Sequence, residues 1–481
     1  MDALEQLLSF AHETRFDDLP VSTVERAKRA VLDTLAVGIA GADAASLPQL
    51  TALASHWGGR AEATLLTNGE RLPAPLAALV NATAARAWDL DDLHEQNTCH
   101  VHVSLIPALL ALSEARGPVA GRDFIAAVAV GAEIICRLSA APRVGFTETG
   151  SIMSYQCAFY AIAAAAARLL GLSRQQMRHA LGLAHARVAG NQQAFLSGAM
   201  AVRVMQGVAA EGGLACALMA ELGITGADDV FEGRYGYFRL HHRGEYDPGE
   251  LTRELGVRYL LDAVSIKPLY PCCRFAHGPI EATILAVEEA RIDVDAIDEI
   301  RVAVTNNEVL HLICEPVERK MDPRSVADAQ FSLPYLVAWA AIHRCMDFKA
   351  LEPESLCDPS VRALMARVKI EVDTAHQEEG RGTFPMPGDV SIVERGGRRT
   401  QRRVAFVKGH PRNPMSYDDV AAKFLACARF AGPRWAGAPA TIDRVSELET
   451  LPDVGVLVPL CAPARPLSSE EPRSVRSTAQ P

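Results

Sequence analysis

The feature that most constrains this chain is a succession of apolar runs at helical spacing that fills its first 245 residues. Ala27, Val31, Leu35 and Ile39 recur every four positions, so they share one face of a helix. Ser22-Thr23-Val24-Glu25 ahead of them has the form of a capping box, and Gly38 and Gly41 mark the other end. The runs 75–89, 105–115 (with Pro107 near its start), 122–141, 151–170, 173–188 and 199–222 continue the series. Many are rich in Ala and Gly, which lets helix axes approach closely. The expectation is a large, mostly α domain built as a bundle.

The pattern changes near residue 265. Segments 299–305 and 368–372 alternate apolar with polar, and 390–394 and 403–407 flank a Gly396-Gly397 turn, the signature of a hairpin. Helical runs 277–290 and 327–342 lie among them. A smaller α+β domain is therefore expected over 265–407. Helical pattern returns at 417–430, so 408–462 is expected to pack back onto the domain of residues 1–264. The Pro-, Arg- and Ser-rich tail 463–481 is expected to be disordered. The uncharged stretch 149–167 is long enough to cross a bilayer but only weakly apolar, and it reads as a helix buried in the core rather than a membrane span.

The net charge of −10 (48 Lys plus Arg against 58 Asp plus Glu) argues against a nucleic-acid or anionic-membrane binder. It leaves room for a local cation cluster facing an acidic small molecule. The eleven cysteines are scattered except for Cys272-Cys273, and the N-terminus shows no leader pattern, so free thiols in a reducing cytoplasm are expected. No glycine-rich phosphate loop occurs, so no nucleotide cofactor is indicated.

Chemistry concentrates in two segments. Residues 89–102 hold Asp89, Asp91, Asp92, His94, Glu95, His100 and His102 between two helical runs. Imidazole is the side chain that takes and returns protons near neutrality, and a carboxylate beside it fixes its tautomer. A metal held by His94, His100 and His102 is the alternative, but no H-E-x-x-H helix accompanies them. Residues 267–277 hold Lys267, Cys272, Cys273, Arg274 and His277 at the expected domain boundary, where cations suit a carboxylate-bearing ligand. The paired cysteines read as packing thiols ahead of a nucleophile. A third segment, Phe331-Ser332-Leu333-Pro334-Tyr335, opens a helix and offers a phenol.

These three segments, in this order, resemble the MmgE/PrpD family. So do Arg26-Ala27-Lys28-Arg29-Ala30-Val31-Leu32-Asp33-Thr34-Leu35, Phe231-Glu232-Gly233, and Pro411-Arg412-Asn413-Pro414-Met415-Ser416 followed by Lys423-Phe424. The resemblance runs from about residue 5 to 460. It implies a large helical domain formed by both chain ends around a smaller α+β domain, metal-independent chemistry without a cofactor, and a homodimer. Residue by residue it implies that His100, Asp89, His277, Tyr335 and Lys267 are catalytic. The chain departs from the family at Thr147, where several members carry histidine, and at Val202-Arg203, where they carry lysine. His102, Arg203 and Glu148 are the candidates to stand in.

The expectation is a lyase that removes a proton next to a carboxylate of a small di- or tricarboxylic acid, foremost a (2-methyl)citrate-like dehydratase. His100 oriented by Asp89 is the base, and His277 and Tyr335 are candidate acids. Lys267, Arg274, Arg203 and His102 hold the carboxylates. An epimerase or decarboxylase on the same scaffold, and a carboxylate binder without turnover, are the alternatives.

Overall fold

Alanine and glycine decide how the helices meet. In the computed structural model, which describes residues 2–304, 309–372 and 387–463, the Ala74–Arg86 helix lies against Ala201–Glu221 with almost no space between them. A Cβ on Gly207 would sit 2.2 Å from the Leu79 carbonyl oxygen, so only glycine permits this approach. Around this pair stand Val21–Gly41, His102–Arg116, Gly121–Ala140 and Met153–Leu169. The last of these is the uncharged stretch, and it is buried through most of its length. Among the described residues no helix is long and apolar enough to cross a membrane.

The chain is mostly α with a small α+β part. One apolar core gathers residues from Ala3 to Val264 and from Met415 to Cys461, with Phe348. A second gathers residues from Cys272 to Val407. The second core is built on a four-stranded sheet in the order Val368–Val372, Ile297–Val304, Gly388–Glu394, Arg399–Val404. Its first pair is parallel and the others antiparallel. The helix His277–Glu289 packs on this sheet. Trp88 joins the two cores: its ring stands edge-on to Phe348 and to Phe430, which stack on each other at 3.8 Å. Trp88 immediately precedes Asp89, so this knot anchors the polar loop.

Local corrections follow from the backbone. The first long helix starts at Val21 behind Pro20, without a side-chain cap, so Ser22 and Glu25 form no capping box. The expected 327–342 helix is two, Val326–Gln330 and Leu333–His343, divided where the Ser332 hydroxyl caps the second. The hairpin's second strand begins at Arg399 rather than 403. The eleven cysteines are free and nine are buried. The expected disordered tail lies outside the described residues except for Pro463.

Candidate active site

The Ala74–Arg86 helix delivers Arg86 at its last residue, and the chain then turns through Asp89 with φ +52°. Aspartate tolerates this left-handed conformation better than most side chains. The turn aims both the Asp89 main-chain oxygen and its carboxylate at Lys267, whose Nζ donates to them at 2.8 and 2.7 Å. A two-residue pairing brings the distant lysine here. Leu93–His94 runs antiparallel to Val264–Ser265, and the Ser265 hydroxyl donates to the Leu93 carbonyl at 3.2 Å. Gly409 presses on the residue that follows this strand, where a Cβ would fall 1.9 Å from the Ile266 carbonyl oxygen.

Arg86 bonds Asp89 and, at 2.9 Å, Asp91. Burial opposes ionisation of Asp89, but Arg86, Lys267 and His100 outweigh it and lower its carboxyl to about 2. Asp91 is likewise held low by Arg86 and His100 against its own burial. Burial disfavours the Arg86 guanidinium, yet Asp89 and Asp91 keep it firmly charged.

His100 sits against this network. Its Nδ1 lies 2.9 Å from the Asp92 main-chain oxygen and 2.8 Å from Asp91 Oδ2. Both are acceptors, so Nδ1 carries the proton and donates. Nε2 is left 4.0 Å from Asp89 Oδ1, available for proton transfer. The backbone N–H of His100 donates to the Ser154 hydroxyl at 2.9 Å.

Arg86, Asp89, His100, Lys267 and Arg274 line one cavity. Phe146, Phe195 and Phe331 supply apolar walls, and Tyr155, whose hydroxyl donates to the Val202 carbonyl at 2.7 Å, adds a polar one. Arg274 is fixed by Glu95, whose Oε1 accepts from its Nε and Nη2 at 3.0 and 2.8 Å. The cavity wall thus carries three cations, paired with Asp89, Asp91 and Glu95, whose remaining N–H donors suit carboxylate groups.

The other expected residues do not line this cavity. His277 is fully buried outside the cavity wall, its Nε2 3.2 Å from the Cys272 carbonyl and its Nδ1 without a hydrogen-bond partner among the described residues. Burial, reinforced by Arg274 and Lys267, drives its proton affinity well down, so it is a neutral core imidazole. Tyr335 donates to the Ala350 carbonyl inside the α+β core. Arg203 stands behind Arg86 and donates to the Ala45 carbonyl at 3.3 Å; burial, then Arg86, lowers it to about 10. His102 is the first residue of a helix, paired with Asp92, and faces a different cavity beside Arg26 and Arg29. Glu148 is exposed and paired with Arg243 at 3.2 Å. Thr147 lines a neighbouring cavity.

The histidine trio expected as the metal alternative is dispersed. His94 bonds the Leu260 carbonyl at 3.0 Å, and burial lowers it to about 4. Asp89, Asp91 and His100 do converge within 4.8 Å, but Arg86 and Lys267 already occupy the Asp89 carboxylate. Two fixed cations at that distance repel a third. The Cys273 thiol lines the cavity, yet burial pushes it up to about 12, so it is not a nucleophile at neutral pH. Arg86, Asp91, Ser154 and Tyr155 were not singled out for roles in the sequence. For Arg86 the available signal was an arginine ending an otherwise apolar, Ala-rich helix, three residues before Asp89.

Comparison with known proteins shows a likeness over most of the chain. Residues 5–248 match the MmgE/PrpD N-terminal domain and residues 270–447 the MmgE/PrpD C-terminal domain. The cis-aconitate decarboxylase-like protein oryM of Aspergillus oryzae is 28% identical over 453 residues, 88% of this chain and 90% of the relative. A cis-aconitate decarboxylase of Aspergillus terreus is 31% identical over 294 residues, 58% of each chain. The mouse cis-aconitate decarboxylase is 25% identical over 475 residues, 95% of this chain and 92% of the relative.

Proposed function

The chain belongs to the MmgE/PrpD family, and from that premise we propose that it is a cofactor-independent lyase that decarboxylates an unsaturated tricarboxylate of the cis-aconitate type. The observation that carries this reading is the single cavity in which His100 faces Asp89 and Lys267 while Arg86 and Arg274 add positive charge. The names of the full-length relatives support decarboxylation ahead of the dehydration expected from sequence. They lend no support to an epimerase.

The chemistry needs few groups. When the allylic carboxylate leaves as carbon dioxide, its bonding electron pair becomes the new carbon–carbon double bond. The old double bond shifts its electrons to the carbon beside another carboxylate, and that carbon must receive a proton. Charge develops on the carboxylate next to the protonated carbon, so a fixed cation there lowers the barrier. Lys267 and Arg86 are assigned that place, and Arg274, held by Glu95, the remaining carboxylate. His100, protonated at both ring nitrogens as the step begins, supplies the proton from Nε2 and is left as the Nδ1–H tautomer anchored on Asp92, to be reprotonated from water. In a dehydration the same imidazole would instead take a proton. We further propose that the 1–264 and 408–462 segments act as one helical domain and 265–407 as a second, and that two copies associate, with light scattering expected to report twice the chain mass.

The test is a panel of cis-aconitate, citrate, methylcitrate and substituted succinates in deuterated water, followed by NMR. The expected result is carbon dioxide release from cis-aconitate with one deuterium placed on a product methylene. The His100→Asn variant should lower kcat at least ~100-fold while remaining folded. Turnover of citrate or methylcitrate alone would return the assignment to dehydration. Near-normal turnover by the variant would remove His100 from the reaction.

A further inference from the structure

A second cavity adjoins the first and shares with it the walls Phe146, Gln192, Phe195, Leu312 and Phe331. Phe195 and Phe331 meet edge to face at 5.2 Å between the helical and the α+β parts of the chain. Behind them the second chamber is bounded by Lys320, Arg319, His311, Glu315 and Asp328. Most of these charges are already matched. Arg319 pairs with Asp328 at 2.7 Å and also donates to the Leu196 and Ser197 carbonyls. The second Asp328 oxygen accepts from the Ser325 hydroxyl at 2.8 Å. His311 pairs with Glu315.

Lys320 is the exception. It ends the short helix Val317–Lys320 and is only 8% exposed. Its Nζ donates to one main-chain oxygen, that of Leu312, at 2.7 Å, and it makes no ion pair among the described residues. An ammonium has three donors, so two remain for a ligand. The thiols of Cys273 and Cys314 and the carboxylate of Asp328 face it, and Arg319 is its neighbour. Burial lowers the ammonium to about 8, so at neutral pH it is still mostly charged. A nearly buried cation whose only partner is a carbonyl is poorly compensated, and an anion entering the chamber would relieve that.

We propose that Lys320 anchors a second carboxylate-binding station, beyond the Phe195–Phe331 pair, that receives a carboxylate either of the substrate itself or of a separate small carboxylic acid. The station rests on the reading of the first cavity as a polycarboxylate site, and neither the lysine nor the chamber takes part in the proton transfer assigned to His100.

The probe is tricarballylate, a saturated and unreactive tricarboxylate, titrated calorimetrically into wild type, Lys320→Met, Lys320→Arg and His100→Asn, alongside steady-state kinetics with cis-aconitate. Loss of one charge-assisted contact weakens binding roughly 10-fold. Lys320→Met is therefore expected to raise the dissociation constant and KM by that factor with kcat unchanged, and Lys320→Arg to restore most of it. One bound probe per chain with competitive inhibition assigns the station to the substrate's own carboxylate. Two bound probes, with only the weaker lost in Lys320→Met, assign it to a separate acid. A folded Lys320→Met with wild-type KM and affinity overturns the proposal and leaves the first site standing. If the chain binds tricarballylate through Lys320 but decarboxylates nothing, the station holds and the reaction falls. A wild type that binds no tricarballylate overturns both.

Discussion

Asp89 is the residue on which the polar loop turns. Its carboxylate is shared by Arg86 and Lys267 while its carbonyl accepts a second bond from the same lysine. Removing it would leave the buried Lys267 without a counter-charge and Arg86 with Asp91 alone, a change that costs about 3–5 kcal/mol in comparable buried pairs. Its acidity also sets a pH limit. The carboxyl is lowered from 3.8 to about 2 in the folded chain, so the unfolded chain binds more protons between those values. The stabilisation is complete above pH 3.8 and is lost as pH falls through about 2. Urea melts of wild type and Asp89→Asn should therefore show a steep acid limb in the former and a shallower one, from a lower plateau, in the latter. Parallel limbs would assign the acid sensitivity to other groups. Function and core were hard to tell apart at this scale. His277 and Tyr335 occupy sequence contexts as suggestive as that of His100, yet both are buried against main-chain carbonyls. What separates them is which side of a helix or loop meets a cavity, and that depends on packing between segments nearly two hundred residues apart.

Among the elements, the helices of the first 245 residues were the most legible, because four-residue spacing of Ala, Val, Leu and Ile persists over many turns. Their ends were less so. Val21 opens its helix directly behind Pro20, since proline's fixed φ already sets the entry and no hydroxyl cap is required. The edge strand Arg399–Val404 was placed too late because its exposed face carries Arg399, Gln401 and Arg403 while its half-buried face opens with the polar Thr400 and Arg402 before Val404, so no apolar alternation results. The closeness of helices was only implied by composition. At Gly207 it becomes a measurable claim: a methyl there meets the Leu79 carbonyl oxygen and the Thr83 hydroxyl oxygen at 2.2 Å. Gly207→Ala should lower stability by about 1–3 kcal/mol despite the better helix propensity of alanine. A melting temperature at or above wild type would show that the two helices can separate freely.

At the scale of the whole molecule, the last described segment completes the first. The Tyr417–Ala431 helix packs along Val21–Gly41, and Lys423 pairs there with Asp33 at 2.6 Å. Burial raises Asp33 to about 6 despite the ammonium beside it, so this pair is there for geometry more than for stability. The same ammonium donates to the Leu90 carbonyl at 2.8 Å, one residue from Asp89 and from Asp91. A chain ended at residue 407 would expose the apolar face of Val21–Gly41 and lose this hold. It should be recovered aggregated or without a sharp thermal transition, as read by circular dichroism and gel filtration. A truncated chain that melts cooperatively near the wild-type temperature would show that the first core is self-sufficient.

The reach of Lys423 also fixes an order of events during synthesis. Helices from the amino-terminal half can coil as they leave the ribosome, but the turn bearing Asp89 and Asp91 receives its last fastening only after some three hundred and thirty further residues have been added. A nascent chain is thus without this fastening of the acidic turn until Lys423 has been added.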